Sequence, residues 1–196
     1  MNIVLLGGNG YIGRSVTRLW RDVDPSAHFY IVSRSGNNDL VSDNLTNLSA
    51  DASIYDAVIK VLPDKIDYIV DFIGHPEKNP NESYKINNQP AEVMKRIAEE
   101  KSVRAMGYIG GLLGPNHFLK TKKDIIKSLS QSTIRHEYVE PTLVYGNDRN
   151  DNLSKIVPLL RILGVFSKKM KPINVNSVSE ELINKLLDSE KDEYEN

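Results

Sequence analysis

Short apolar runs alternate with amphipathic stretches along almost the whole chain. That alternation predicts strands joined by helical crossovers, as in a parallel sheet. Residues 2–6 are nearly all apolar and end in glycines, as a strand buried on both faces would. Residues 11–21 carry Ile12, Val16 and Leu19 at helical spacing, with Arg14, Arg18 and Arg21 on the other side. The same rhythm predicts strands over 29–33, 45–49, 66–73 and 103–109 and an extended segment over 137–141, with helices over 54–62, 90–101 and 118–129. Residues 153–163 read as a further helix, 173–175 lead into a last helix over 178–187, and the polar, acidic residues 188–196 read as a frayed tail. The expected architecture is α/β: a Rossmann-like, doubly wound parallel sheet forming a single domain over residues 1–187, with a short C-terminal substrate or lid portion. Two connections, 34–44 and 74–88, are longer than a minimal link needs and follow strand ends on the face where open α/β sheets bind ligands.

Composition narrows the function. The 196 residues are 40% hydrophobic and 26% charged, enough for one ordinary core. With 25 basic against 26 acidic side chains, no bulk charge recruits phosphate backbones or anionic lipid, so neither nucleic acid nor membrane is an expected partner. The absence of cysteine excludes disulfide scaffolds and thiol catalysis. No basic region precedes the first apolar run, and the most apolar later stretch, 156–166, is interrupted by Arg161, so a cytoplasmic location is expected. His28 and His136 form no ligand cluster, no metal site is expected, and no nucleophile-elbow pattern supports hydrolase chemistry.

The sharpest signal is Gly7-Gly8-Asn9-Gly10-Tyr11-Ile12-Gly13, between the first strand and first helix. Early glycines permit a tight turn and close approach of a pyrophosphate, the last lets helix pack on strand, and the helix N-terminus supplies amides. Gly7, Gly10, Tyr11, Ile12 and Gly13 are therefore candidate cofactor contacts, the alternative being a tight turn with no ligand. The second strand ends in Ser33-Arg34, where a ribose-gripping carboxylate would suit NAD. A guanidinium there suits the 2′-phosphate of NADP, helped by the Ser33 hydroxyl, so NADP is preferred over NAD. Otherwise Arg34 is a solvated cation or stacks on adenine, and Asp39 could swing back from its loop.

These residues resemble the short-chain dehydrogenase/reductase superfamily, in its extended and atypical branch of epimerase/dehydratase-like and NAD(P)-binding regulator-like proteins. The likeness rests on the glycine loop, Asp51, Asp71-Phe72-Ile73-Gly74, Asn87 and Glu140-Pro141-Thr142-Leu143-Val144-Tyr145-Gly146. The resemblance implies that Asp51 meets the adenine amino group, that Gly74 lies against the cofactor ribose and that Pro141 to Val144 meet the nicotinamide end. Read from local sequence alone, Asp51 serves equally as the cap of the following helix. The family's active site pairs a Ser or Thr after the fifth strand with Tyr-x-x-x-Lys on the next helix. Here the strand ends Tyr108-Ile109-Gly110-Gly111 and the helix reads Phe118-Leu119-Lys120-Thr121-Lys122. Phenylalanine transfers no proton, and of the catalytic group only Lys122 survives, either as a ribose clamp or as one more lysine on a solvated face with Lys120, Lys123 and Lys127. Tyr108, His75 and His117 lie near strand ends where a substitute acid could stand, and Tyr145 reads as structural.

The expected function is an NADPH-dependent oxidoreductase passing hydride directly to a small conjugated acceptor of quinone or flavin type, which needs no dedicated protein acid. The alternative is a non-catalytic NAD(P)-sensing regulator or scaffold that binds a protein partner. A sugar-nucleotide epimerase or dehydratase ranks third, because the tyrosine is missing and the part beyond Gly146 is short for a nucleotide-sugar lid. The apolar segment 159–166 suits a lid or a contact surface equally.

Overall fold

The computed structural model describes residues 1–146 and 171–194. Strands β1 (Asn2–Leu6), β2 (His28–Ser33), β3 (Leu45–Ser49), β4 (Tyr68–Asp71), β5 (Ala105–Ile109) and β6 (His136–Val139) form one six-stranded sheet in the order β3-β2-β1-β4-β5-β6. Every neighbouring pair is parallel. The order reverses between β1 and β4, which makes the crevice outside their C-terminal ends the topological switch point.

Alternation along each strand feeds two core layers. Ile3 and Leu5 join Phe29, Ile31 and Val70 beneath α1 (Tyr11–Val23) and α6 (Val175–Tyr194), where Trp20 is fully buried against Phe29 and Tyr68. Val4 and Leu6 point the other way, to Met94 and Ile97 of α4 (Gln89–Lys101) and Ile125 and Leu129 of α5 (Asn116–Leu129). A sheet covered on both faces explains why β1 and β4 read as continuous apolar runs.

Several elements differ from the sequence expectation. The helix expected over 54–62 is only Tyr55–Ile59 (α2): the Val61 N–H closes a tighter turn on the Val58 carbonyl, and Pro63 disfavours helical geometry at the residue before it. Much of the supposed loop 74–88 is helical. Asn79 caps α3 (Pro80–Ser83) by accepting the Asn81 and Glu82 N–H groups, Pro80 fills a first-turn position, and a π-helical turn over Tyr84–Asn88 carries the chain into α4. Helix α6 starts at Val175 and runs on to Tyr194, through residues expected to fray. Three residues beyond Pro141, Val144–Tyr145 (β7) pair in parallel with Ile173–Asn174 (β8), a small ladder that local pattern did not predict. The helix expected over 153–163 and the apolar segment 159–166 lie outside the described residues. Among those described, no helix is long and apolar enough to cross a membrane.

Candidate functional site

The glycine loop turns β1 into α1. Gly7 sits at φ +72°, and the Gly10 N–H donates to the Gly7 carbonyl at 2.9 Å, closing the turn. Gly10 then caps α1 with no side-chain acceptor on its first-turn amides, the groups that a helix N-terminus can offer to an anion. A Cβ on Gly13 would lie 2.6 Å from the Gly8 Cα, so helix and loop can pack this closely only with glycine there. Tyr11 and Ile12 pack partly buried against the core, and the Tyr11 hydroxyl donates to the Gly146 carbonyl at 2.5 Å.

Beside the loop lies a cleft of about 500 Å³ whose walls include Gly7, Ser33, Arg34, Asp51, Ile73 and Lys85. Four of the cofactor contacts expected from the sequence, Gly7, Ser33, Arg34 and Asp51, thus meet in one place. The Ser33 hydroxyl and carbonyl both accept the Gly36 N–H, at 3.1 and 3.3 Å, and this turn sets Arg34 exposed at the cleft mouth. Asp39 is exposed and absent from the cleft wall. Asp51 lines the cleft, and it is not the cap of α2, whose N-cap position is Ile54 with no side-chain hydrogen bond. The Asp51 Oδ1 accepts from the Ser53 N–H (3.0 Å) and hydroxyl (2.7 Å), fixing the turn before α2. The Ser53 hydroxyl, with smaller help from Lys85 and Arg34, holds this carboxyl below its ordinary pKa. Lys85 and Glu82 reach the cleft from the unforeseen helical segment. Pro141 and Val144 are buried, Val144 within the core under α1 and α6, and neither lines this cleft.

At the ends of β4 and β5 stands a buried polar group. Asp71 is fully buried; its Oδ1 accepts the Ile73 N–H at 2.8 Å and its Oδ2 has no partner. Tyr108 pairs in register with Asp71, so the two side chains share a sheet face, and the Tyr108 hydroxyl is also buried without a partner. Lys122 lies in the same layer. Only 5% exposed, it donates from Nζ to the Ile109 carbonyl at 2.9 Å and sits 4.6 Å from the Tyr108 ring centroid. The picture of Lys122 on a solvated face is therefore wrong: Lys120 and Lys123 are exposed, whereas Lys122 shares the inner face with Ile125 and Leu129, three and seven residues on. Gly74 is wedged here, since a Cβ would come within 2.8 Å of Asn87 Oδ1 and 2.9 Å of Lys122 Nζ. Asn87, fully buried in the π-helical turn, accepts the His75 N–H and donates to the His75 carbonyl, clamping the loop after β4.

Burial pushes the Asp71 carboxyl up to about 7, opposed by the Ile73 N–H and the Lys122 charge. Burial likewise pulls Lys122 down to about 8, opposed by Asp71, and raises Tyr108 strongly. Among the substitute acids considered, Tyr108 is thus sealed in the core, His117 is exposed on the first turn of α5, and His75 lines the cleft. The linkage sign for Asp71 follows from its raised value. The folded state holds a proton that the unfolded chain releases near pH 4, so this group's contribution falls as pH rises toward about 7. His136, lowered to about 4 by burial, acts in the opposite sense over pH 4 to 6.5 and is common to wild type and variant. Urea midpoints of Asp71→Asn minus wild type should accordingly increase from pH 4 to pH 7; a difference independent of pH would show that Asp71 is not a buried, proton-holding acid.

The solved structures similar to this chain share its fold. A UDP-glucose 4-epimerase matches with TM-score 0.75 at 16% identity, over 97% of this chain and 74% of its own. WbmH of Bordetella bronchiseptica, solved in complex with NAD+, matches with TM-score 0.73 at 13% identity, over 94% and 71%. Pen from Bacillus thuringiensis matches with TM-score 0.71 at 19% identity, over 93% of this chain and 66% of its own, so the chain spans about two thirds to three quarters of these proteins. No curated protein sequence matches the chain. The model of the NAD dependent epimerase/dehydratase family matches residues 3–109, more than half the chain and all of the glycine loop, the cleft wall and the buried Asp71. The chain belongs to that family.

Proposed function

We propose that the protein is a nicotinamide-dinucleotide oxidoreductase, preferring NADPH, that passes hydride directly to a small conjugated acceptor of quinone or flavin type. The residues present fit the cofactor: first-turn amides with no side-chain cap for the pyrophosphate, and Ser33, Arg34 and Asp51 lining one cleft for the adenosine half. When bound, the nicotinamide supplies the hydride chemistry. The observation that carries the proposal is the lack, among the described residues, of a proton-transferring hydroxyl at the positions where the family carries its Ser or Thr and its Tyr. Phe118 stands where the family tyrosine would, Gly110 and Gly111 follow β5, and Tyr108, beside Lys122, is buried. An acceptor reduced without a dedicated protein acid suits those positions, whereas epimerisation of a sugar hydroxyl needs a base there.

The test is NADPH oxidation with a quinone acceptor, alongside oxidation of secondary alcohols in reverse. Quinone turnover with negligible alcohol oxidation is expected, and Phe118→Tyr should leave quinone reduction within about threefold, since no step waits for that proton. Ketone turnover that collapses on His75→Ala would overturn the proposal. Cofactor binding with no turnover of any acceptor would do so too, and would favour a sensor.

A further inference from the structure

The far end of the sheet carries a carboxylate that neither the core nor the cleft uses. With the adenosine half over β2 and β3, a dinucleotide crossing the switch point directs its other half toward β5 and β6. β6 lies three strands beyond β1, roughly 14 Å at the usual strand spacing. There the Gly110 N–H donates to the Val139 carbonyl (2.8 Å) and the Leu112 N–H to the Pro141 carbonyl (3.0 Å), fixing the backbone of Glu140 between them. A Cβ on Gly110 would lie 2.7 Å from Glu140 Cγ and 3.1 Å from Ile126 Cδ1, so Glu140 occupies the space that any side chain at position 110 would need. Glu140 is half-buried and has no hydrogen bond or ion pair among the described residues. A carboxylate in that position is satisfied by water or by a ligand.

Its surroundings include exposed apolar side chains. A Cβ on Gly111, itself buried, would meet none of the described residues within 4 Å, and beyond it Leu112 and Leu113 stand 46% and 42% exposed. Lys122 is already engaged by the Ile109 carbonyl, in the layer that holds Asp71. We propose that this rim is the acceptor subsite, and that Glu140 selects a ligand bearing a cationic or amino group on an apolar body while rejecting anionic ones of the same shape. That the ligand is the hydride acceptor rests on the proposed oxidoreductase function; the charge selection does not.

The test therefore uses binding as well as turnover. Calorimetric titration with two aromatic ligands of equal size and opposite charge, naphthylmethylammonium and naphthylacetate, is run on the protein with and without NADP+. The cation is expected to bind about tenfold tighter than the anion, the sum of one attraction and one repulsion at a half-buried site. Glu140→Gln should reduce the gap to less than about threefold with NADP+ affinity unchanged, and Glu140→Lys should invert it. In turnover, a neutral quinone should be preferred over its sulfonate in wild type only. Equal affinities, a gap that survives Glu140→Gln, or no binding of either ligand would overturn the subsite. Loss of quinone turnover alone, with the binding gap intact, would overturn the oxidoreductase function and leave the subsite standing.

Discussion

Valine in place of Gly10 is expected to abolish useful dinucleotide binding while leaving the protein folded. Gly10 sits at φ −72°, which any residue adopts, is exposed, and would bring a Cβ near only the Gly7 carbonyl, at 3.1 Å. The fold can tolerate the substitution. The branched methyls would stand over the first-turn amides, where a diphosphate has to approach, and overpacking of this kind costs about 2–3 kcal/mol, on the order of a hundredfold in affinity. Gly13→Val is the informative contrast: its side chain would clash with Gly8 backbone atoms, so it should lower the urea midpoint as well as binding. Calorimetry and urea unfolding on both variants check the pair. Normal cofactor affinity in a folded Gly10→Val protein would reduce the glycine loop to a turn.

Arg34→Ala should remove the preference for NADPH over NADH. Arg34 stands exposed at the mouth of the cleft that Ser33, Asp51 and Lys85 also line, and no carboxylate competes from Asp39. A charge-assisted pair with the 2′-phosphate favours NADPH by about 1.5–3 kcal/mol, roughly 10- to 100-fold. Affinities for the two cofactors, measured in both proteins at one salt concentration, check it. Equal affinities in the parent protein, or a gap untouched by the substitution, would remove Arg34 from the site.

What the sequence revealed depended on how locally each feature is encoded. The strand, glycine loop and helix at the N-terminus are contiguous, and so are Ser33 and Arg34 at the end of β2; these were legible and the structure brings them to one cleft. The helical content of 74–88 was hidden because α3 is a single turn, announced only by Asn79-Pro80, and the π-helical turn shifts the pattern against a regular period. Lys122 could have been recognised: it shares a helical face with Ile125 and Leu129, but its lysine neighbours masked that periodicity. Asp71 also left a signal, an acid ending an otherwise apolar strand. The β7–β8 ladder and the contact of Glu140 with Gly110 join residues distant in sequence, and no local period reports such pairings.

The proposed function requires the cleft beside the glycine loop to be a working dinucleotide site. Titration calorimetry of the wild-type protein with NADPH, followed by displacement with NADH, tests it most directly. One NADPH per chain, bound more tightly than NADH and lost in Gly10→Val, is the expected result. No saturable binding of either dinucleotide to the folded protein would contradict it.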